Sequence, residues 1–409
     1  MRKPVNILVA TYWSYKDPLI QTYTLPYLKQ IKQVVPDESR IYLLTFEQDK
    51  FKINIENGEL DRIEDELSKH NISLIRFNYL KRGAMVYFKL AWNFIYLIFF
   101  CFSRKITHIH TWCMPGGAIG YVLSLITRKP LILDSYEPHA EIMLESDTWK
   151  RNDLSFKLLF KLEALQSKRA SHVIGTTKAM EHYAKEKYRV EFTEFHVKPA
   201  CIDLEKFSNQ NVKNKNLLEQ LNLVDKIVAV YAGKFGDSYL ESEVFELFKI
   251  AHEHWGERFR VLLLNNHEDS YIKKMAGSVG LDFRIITKMY VDHHKIPDYI
   301  GLGDFGLTPF VPVPSKRYGT PIKDGEYWAL GLPVIITKDI SDDSDIIASH
   351  KIGYVLQDLT VQEYKKAISF IDTLISQNSR PEIYDLIRPI AEKYRNYYIA
   401  DAIYKKIYA

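Results

Sequence analysis

The stretch Gly319–Thr337, GTPIKDGEYWALGLPVIIT, decides how this chain is read. It reads as a loop, a short helix carrying Lys323 and Glu326, a Gly331 stop, and a buried strand opening at Pro333. The first turn of a helix presents free backbone N–H groups and is a ready anion site, and residues three apart share one helix face. Lys323 and Glu326 therefore set a cation and a carboxylate beside such a site. The cation suits phosphates and the carboxylate suits ribose hydroxyls. An ordinary helix–strand pair with a surface Lys–Glu pair is the plainer reading of the same residues.

Length and composition set the outer bounds. At 409 residues and 46% apolar content, the chain is long enough for two or three domains with their own cores. A net charge of +4 is small for this length, and no basic run is interleaved with aromatics, so nucleic acid is not an expected partner. Cys101, Cys113 and Cys201 are odd in number and outside any paired metal spacing. They argue for reduced thiols in a cytoplasmic setting and against structural zinc. Arg2 and Lys3 resemble the start of a signal peptide, but Val5–Ala10 is too short for one and reads as a first strand.

Strand-like runs alternate with helical stretches along most of the sequence, which argues for parallel sheets built from strand–helix–strand units. The first series is Asn6–Ala10, Arg40–Thr45, Ser73–Phe77, His108–His110, Leu131–Leu133, His172–Ile174 and Glu194–Val197. A polar, Asn-rich stretch from Ser208 to Lys226 reads as a linker. The second series is Ile227–Tyr231, Arg260–Leu264, Phe283–Ile286, Phe305–Thr308, Val334–Thr337 and Gly353–Val355. Two doubly wound domains follow, 1–207 and 208–380, with helices over 381–409.

The pattern Pro321-x-Lys323-x-x-Glu326-Tyr327-x-Ala329-x-Gly331-x-Pro333-Val334 resembles the nucleotide-sugar site of the retaining glycosyltransferases of family 4. That resemblance implies an α/β chain of the GT-B fold: two Rossmann-like, doubly wound parallel-sheet domains facing across a cleft, with the last helices crossing back to the first domain. It implies transfer from a nucleotide-diphosphate sugar to a hydroxyl of a glycan or lipid-linked acceptor, with retention and without a metal or other cofactor. The setting it implies is cell-surface polysaccharide synthesis in the cytoplasm or at the inner face of the cell membrane. The turn Gly233–Gly236, GKFG, looks like the family's phosphate turn, with Lys234 as its cation. Thr320, Lys323 and Glu326 join it as donor-binding residues, and Met289 and Tyr290 fall where the base is held.

The sequence also departs from the family. The second lysine usual after the phosphate turn is absent, leaving Lys316 or Arg317 to support Lys323. Tyr318 stands where many members carry a second glutamate, which excludes a covalent intermediate through that position. The loop Thr11–Gln21 has no glycine pair, so Tyr12, Trp13 and Tyr15 become acceptor contacts or packed lids. His110 of the His108-x-His110 strand is expected to line the cleft and His108 to be structural. Glu137 and His139, within Asp134–Glu141, are the expected catalytic groups, an acidic helix start being the alternative. The run Asp342, Asp343 and Asp345 reads as helix-capping acids and not as a metal site. An epimerase of the same architecture and a non-catalytic nucleotide-binding subunit also fit. A dinucleotide oxidoreductase does not, because no G-x-G-x-x-G follows the first strand.

One segment raises a membrane question. Leu90–Phe102, LAWNFIYLIFFCF, has only Asn93 polar and is flanked by Lys81, Arg82 and Lys89 on one side and Arg104 and Lys105 on the other. It is too short to span a bilayer. It reads either as a buried core helix or as an interfacial helix making peripheral membrane contact through 84–105.

Overall fold

The computed structural model of the chain describes residues 3–79 and 84–408. It divides into two compact units: 1–198 with 397–409, and 199–396. The division falls ahead of the expected linker, and the helix Arg380–Tyr394 belongs to the second unit.

The first unit holds seven strands: β1 (Asn6–Ala10), β2 (Arg40–Glu47), β3 (Ile72–Asn78), β4 (His108–Trp112), β5 (Leu131–Tyr136), β6 (His172–Gly175) and β7 (Phe195–Val197). The second holds six: β8 (Ile227–Ala232), β9 (Phe259–Leu264), β10 (Ile286–Met289), β11 (Phe305–Thr308), β12 (Val334–Thr337) and β13 (Gly353–Leu356). The sheet orders are 3-2-1-4-5-6-7 and 10-9-8-11-12-13, with parallel pairing throughout. Each strand order reverses once, between β1 and β4 and between β8 and β11. Ligands of doubly wound sheets bind outside the carboxyl ends of the strands at such a reversal.

The strands are nearly continuous apolar runs because helices cover both faces of a parallel sheet. Val228–Tyr231, Val261–Leu263 and Val334–Ile336 are buried without interruption. One expected strand is displaced. Phe283–Ile285 forms a 3-10 turn, fixed by Asp282 accepting from the Arg284 N–H, and the ladder runs over Ile286–Met289 instead. The expected linker is also folded. Ser208 and Asn211 form a reciprocal cap, Asn214 caps the helix Lys215–Gln220, and Leu223 is buried in the second core. Its polar composition reflects caps and turns: Lys213 bonds the Leu302 carbonyl and pairs with Asp304 at 2.8 Å.

A buried ionic cluster lies inside the first unit. Asp134, in the middle of β5, accepts from Lys198 at 3.0 Å and from Tyr404 at 3.0 Å, and lies 3.2 Å from His110 Nε2. The Lys198 ammonium sits 3.4 Å from the Tyr27 ring centroid, and Tyr408 Oη meets His110 Nδ1 at 2.5 Å. Lys198, Asp134 and His110 are all inaccessible to solvent. An isolated buried charge is costly, so these groups are stable only together. The helix Tyr398–Tyr408 thereby becomes part of the first core.

The helix Ala84–Ser103 is not a core helix. Leu97 and Cys101 face inward, while Phe88, Trp92, Ile95, Phe99 and Phe102, at helical spacing, form an exposed apolar stripe. Phe88 is 69% exposed and Phe99 70%. Lys89, Arg104 and Lys105 are exposed at its ends, whereas Lys81 and Arg82 lie outside the described residues. No helix among the described residues is long and apolar enough to cross a membrane.

Candidate functional site

The second unit builds its site where the strand order reverses. The chain leaves β8 through Gly233–Gly236 and returns along Ser238–Leu240, where Leu240 N donates to the Pro309 carbonyl and Val311 N to the Ser238 carbonyl. This fastens the turn after β8 to the segment after β11. Tyr239 stacks on Phe310 with ring centroids 4.6 Å apart. Gly236 adopts φ +81°, a conformation open to glycine at little cost.

The helix Ile322–Ala329 delivers Lys323 and Glu326 to the same place. Its core face carries Tyr327 and Trp328, both fully buried, each worth about 1.5–3 kcal/mol in apolar burial. Tyr327 Oη accepts from the Ala232 N–H at 3.3 Å, tying the helix to the end of β8. The N-cap is Pro321, which makes no side-chain cap, so among the described residues the first turn keeps free N–H groups, the arrangement that suits an anion. Asp324, inside that turn, accepts from Thr308 and shares a hydrogen bond with Asp343, which pairs with the buried Arg395. Burial pushes both carboxyls up from their ordinary value. The run expected to cap a helix is therefore divided: Asp342 makes no side-chain cap, Asp343 is locked in this network, and Asp345 pairs with Arg317 at 2.7 Å.

Lys323 lies over the turn Gly233–Gly236. A Cβ built on Gly233 would stand 2.7 Å from Lys323 Cε and 2.8 Å from Nζ, so only glycine admits the lysine there. The ammonium is 4.2 Å from the Tyr239 ring centroid and 5.5 Å from that of Tyr231, an aromatic cradle that holds a cation without neutralising it. One turn along the helix, Glu326 is half-buried, and nothing among the described residues hydrogen-bonds its carboxylate. Burial raises its pKa to about 7 against the opposing charges of Lys323 and Lys206.

The other expected donor residues are more dispersed. Lys234 turns outward and pairs with Asp237 at 2.6 Å. Lys316 donates to Ser238 Oγ at 2.9 Å, and Arg317 bonds the Ser341 carbonyl and Asp345, so both reserve cations have protein partners. Thr320 Oγ1 accepts from Ser341 Oγ at 3.4 Å, beside the helix start. Met289 closes β10, packed partly into the core, and Tyr290 follows it with 73% of its surface exposed.

In the first unit, Glu137 and His139 meet at the carboxyl end of β5. Glu137 Oε1 lies 3.1 Å from His139 Nδ1. Burial works against the charged imidazole, but the bond and charge of Glu137 outweigh it and hold His139 above its ordinary pKa. Behind them Glu163 accepts from Ala140 N at 2.9 Å and from Tyr188 Oη at 2.7 Å, its own carboxyl pushed up to about 7 by burial. The strand runs on to Tyr136 through an irregular register, so Asp134 is a core residue and not part of the loop after the strand. His110 does not line a surface: it is fully buried, with both ring nitrogens used by Tyr408 and Asp134. Tyr15 is buried too, its N–H donating to Glu47 and its carbonyl accepting from Gln21. Tyr12 remains partly exposed, edge-on to Tyr79 at 5.6 Å, and is the most accessible of the three expected aromatics, Trp13 being half-buried.

Several solved structures share this architecture over their whole length. A glycosyltransferase from Rickettsia africae matches with a TM-score of 0.73 and 13% identity, over 100% of this chain and 98% of its own. HepE of Anabaena in complex with UDP matches at 0.70 and 16%, over 98% of both chains. WaaG, a glycosyltransferase involved in lipopolysaccharide biosynthesis, matches at 0.69 and 12%, over 98% and 99%. The fold is GT-B. No family model and no curated sequence matches the chain.

Within this GT-B chain, two residues were not singled out from sequence, and a third, Asn265, is a candidate from sequence as part of Asn265–His267, the polar stretch after a strand. Tyr231 and Tyr239 cradle Lys323, and Asn265, buried at the end of β9, has a side-chain N–H without a hydrogen-bond partner among the described residues. Asn265 follows a strand, a position that does signal a ligand. An aromatic cradle has no spacing signature, because its members meet only in three dimensions.

Proposed function

We propose that the chain is a glycosyltransferase that takes a sugar from a nucleoside diphosphate and passes it, with retention and without a metal, to a hydroxyl of a glycan or lipid-linked acceptor. The observation that carries this reading is Lys323 Nζ set over Gly233, with the uncommitted carboxylate of Glu326 one helical turn away. Lys323 and the free N–H groups of its helix stabilise the departing diphosphate, the charge that develops as the glycosidic bond breaks. Glu326 accepts from the ribose hydroxyls. Lys234 can join them only by leaving Asp237. HepE was crystallised with UDP and with UDP-glucose, which makes uridine nucleotides the first to test.

Glu137 and His139 orient the transferred sugar and its acceptor, and Tyr12 contacts the acceptor. The exposed stripe of the helix Ala84–Ser103, with basic residues at its ends, gives peripheral contact with an anionic membrane on the cytoplasmic side. The deciding experiment is calorimetric titration of nucleoside diphosphates into the chain and its Lys323→Ala variant. Binding of one nucleotide, lost in the variant, supports the reading; equal binding by both overturns it.

A further inference from the structure

His172 opens β6, and Glu194 and His196 stand just before and within β7, the edge strand of the first sheet. Val173 pairs with Phe195 and Ile174 with His196, so strand alternation puts His172, Glu194 and His196 on one face. His172 Nδ1 lies 3.3 Å from His196 Nε2, and Glu194 Oε2 lies 3.7 Å from that same nitrogen. All three donor atoms fall within 4.8 Å of one another. Around tetrahedral zinc, with metal–nitrogen bonds of about 2.0–2.1 Å, neighbouring donors stand about 3.3–3.4 Å apart. The two imidazole nitrogens already have that spacing, and strand pairing holds their backbones in place.

The cluster is separate from the chemistry described above. His172 is at the amino end of its strand, whereas Glu137 and His139 follow the carboxyl end of β5. Lys406, from the helix Tyr398–Tyr408, donates to Glu194 at 2.6 Å and is 58% exposed. Its ammonium occupies the flank of the carboxylate that a metal ion would need.

We propose that His172, His196 and Glu194 form a binding site for a divalent cation of the Zn²⁺ class, with water as fourth ligand and Lys406 as a resident competitor. The metal enters as the Lys406 ammonium swings from Glu194 into solvent. Two imidazoles and a carboxylate suit this class of ion better than Mg²⁺ or Ca²⁺, which prefer all-oxygen sites. The cysteines had argued against structural zinc; the histidines that argue for it are far apart in sequence and meet only through parallel pairing.

The test is Zn²⁺ titration of the untagged chain against a chromophoric chelator, with Co²⁺ as a spectroscopic probe. One equivalent should bind, Co²⁺ should show the visible bands of a four-coordinate site, and Zn²⁺ should raise the melting temperature. His172→Gln and His196→Ala should each weaken binding at least tenfold. Lys406→Ala changes only an exposed side chain and should tighten binding several-fold. Absence of a stoichiometric site, wild-type affinity in both histidine variants, or unchanged or weaker affinity in K406A overturns the proposal.

Discussion

The ammonium of Lys323 lies over Gly233, so close that a single methyl group on the glycine would stand 2.8 Å from Nζ. Because the obstructing atoms are the far end of a flexible side chain, Gly233→Ala should fold normally and push Lys323 aside. Nucleoside diphosphate affinity should fall about tenfold or more, the worth of a charge-assisted hydrogen bond. Calorimetry beside a melting curve checks this; lost stability with intact affinity would reverse the assignment.

Glu326→Ala should weaken nucleotide binding by about 1.5–3 kcal/mol. The pH dependence gives a second measure. The folded acid, near 7, lies above its ordinary 4.5, so the fold holds the extra proton and Glu326 subtracts from stability as pH rises through that window. Ribose hydroxyls need the ionised form, so affinity for a sugar nucleotide should rise between about pH 6 and pH 8 and then level off. Glu326→Gln should flatten that profile. A slope that survives the substitution would place the titration elsewhere.

Glu137→Gln and His139→Ala should lower turnover strongly and leave nucleotide affinity within a few-fold, because neither residue belongs to the unit that carries Lys323. Proton NMR of the first product should show the donor's anomeric configuration kept. Inversion would recast Glu137 as a general base.

Turnover should persist after EDTA treatment and dialysis, since Lys323 and the helix N–H groups take the role of a metal at the diphosphate. The His196→Ala variant is the control for any effect of the zinc site at the sheet edge. Activity abolished by EDTA in both proteins and restored by Mn²⁺ or Mg²⁺ would show that the donor needs a metal.

Trp92→Glu with Phe99→Glu should abolish flotation of the chain with anionic liposomes, and replacing Arg104 and Lys105 by Glu should reduce it in a salt-sensitive way. Binding that resists carbonate would point to deeper insertion.

The strands were legible wherever an apolar run was bounded by glycine or proline. Phe305–Thr308 and Val334–Thr337 fall where the sequence places them, the latter directly after Pro333. Phe283 and Ile285 are equally apolar, but the Asp282 side chain bonds the backbone and turns them into a 3-10 segment, a local competition that periodicity does not register. The helix Ala84–Ser103 left two readings open, because an apolar composition does not reveal which face has a partner. At the candidate site, the placement of Lys323 and Glu326 on one short helix was readable, since a spacing of three residues defines a helix face. The commitment of His110 to Asp134 and Tyr408 was not readable, because Tyr408 belongs to a helix that follows the whole second unit.

That helix also constrains the order of events during synthesis. Tyr404 and Tyr408 close the cluster around Asp134, Lys198 and His110, and the segment bearing them emerges only after residues 199–396 have been translated. While residues 199–396 are being made, the first unit is therefore left with an open core. The half of the chain made first cannot complete its core until the last residues arrive: without Tyr398–Tyr408, Asp134 lacks Tyr404 and His110 lacks Tyr408.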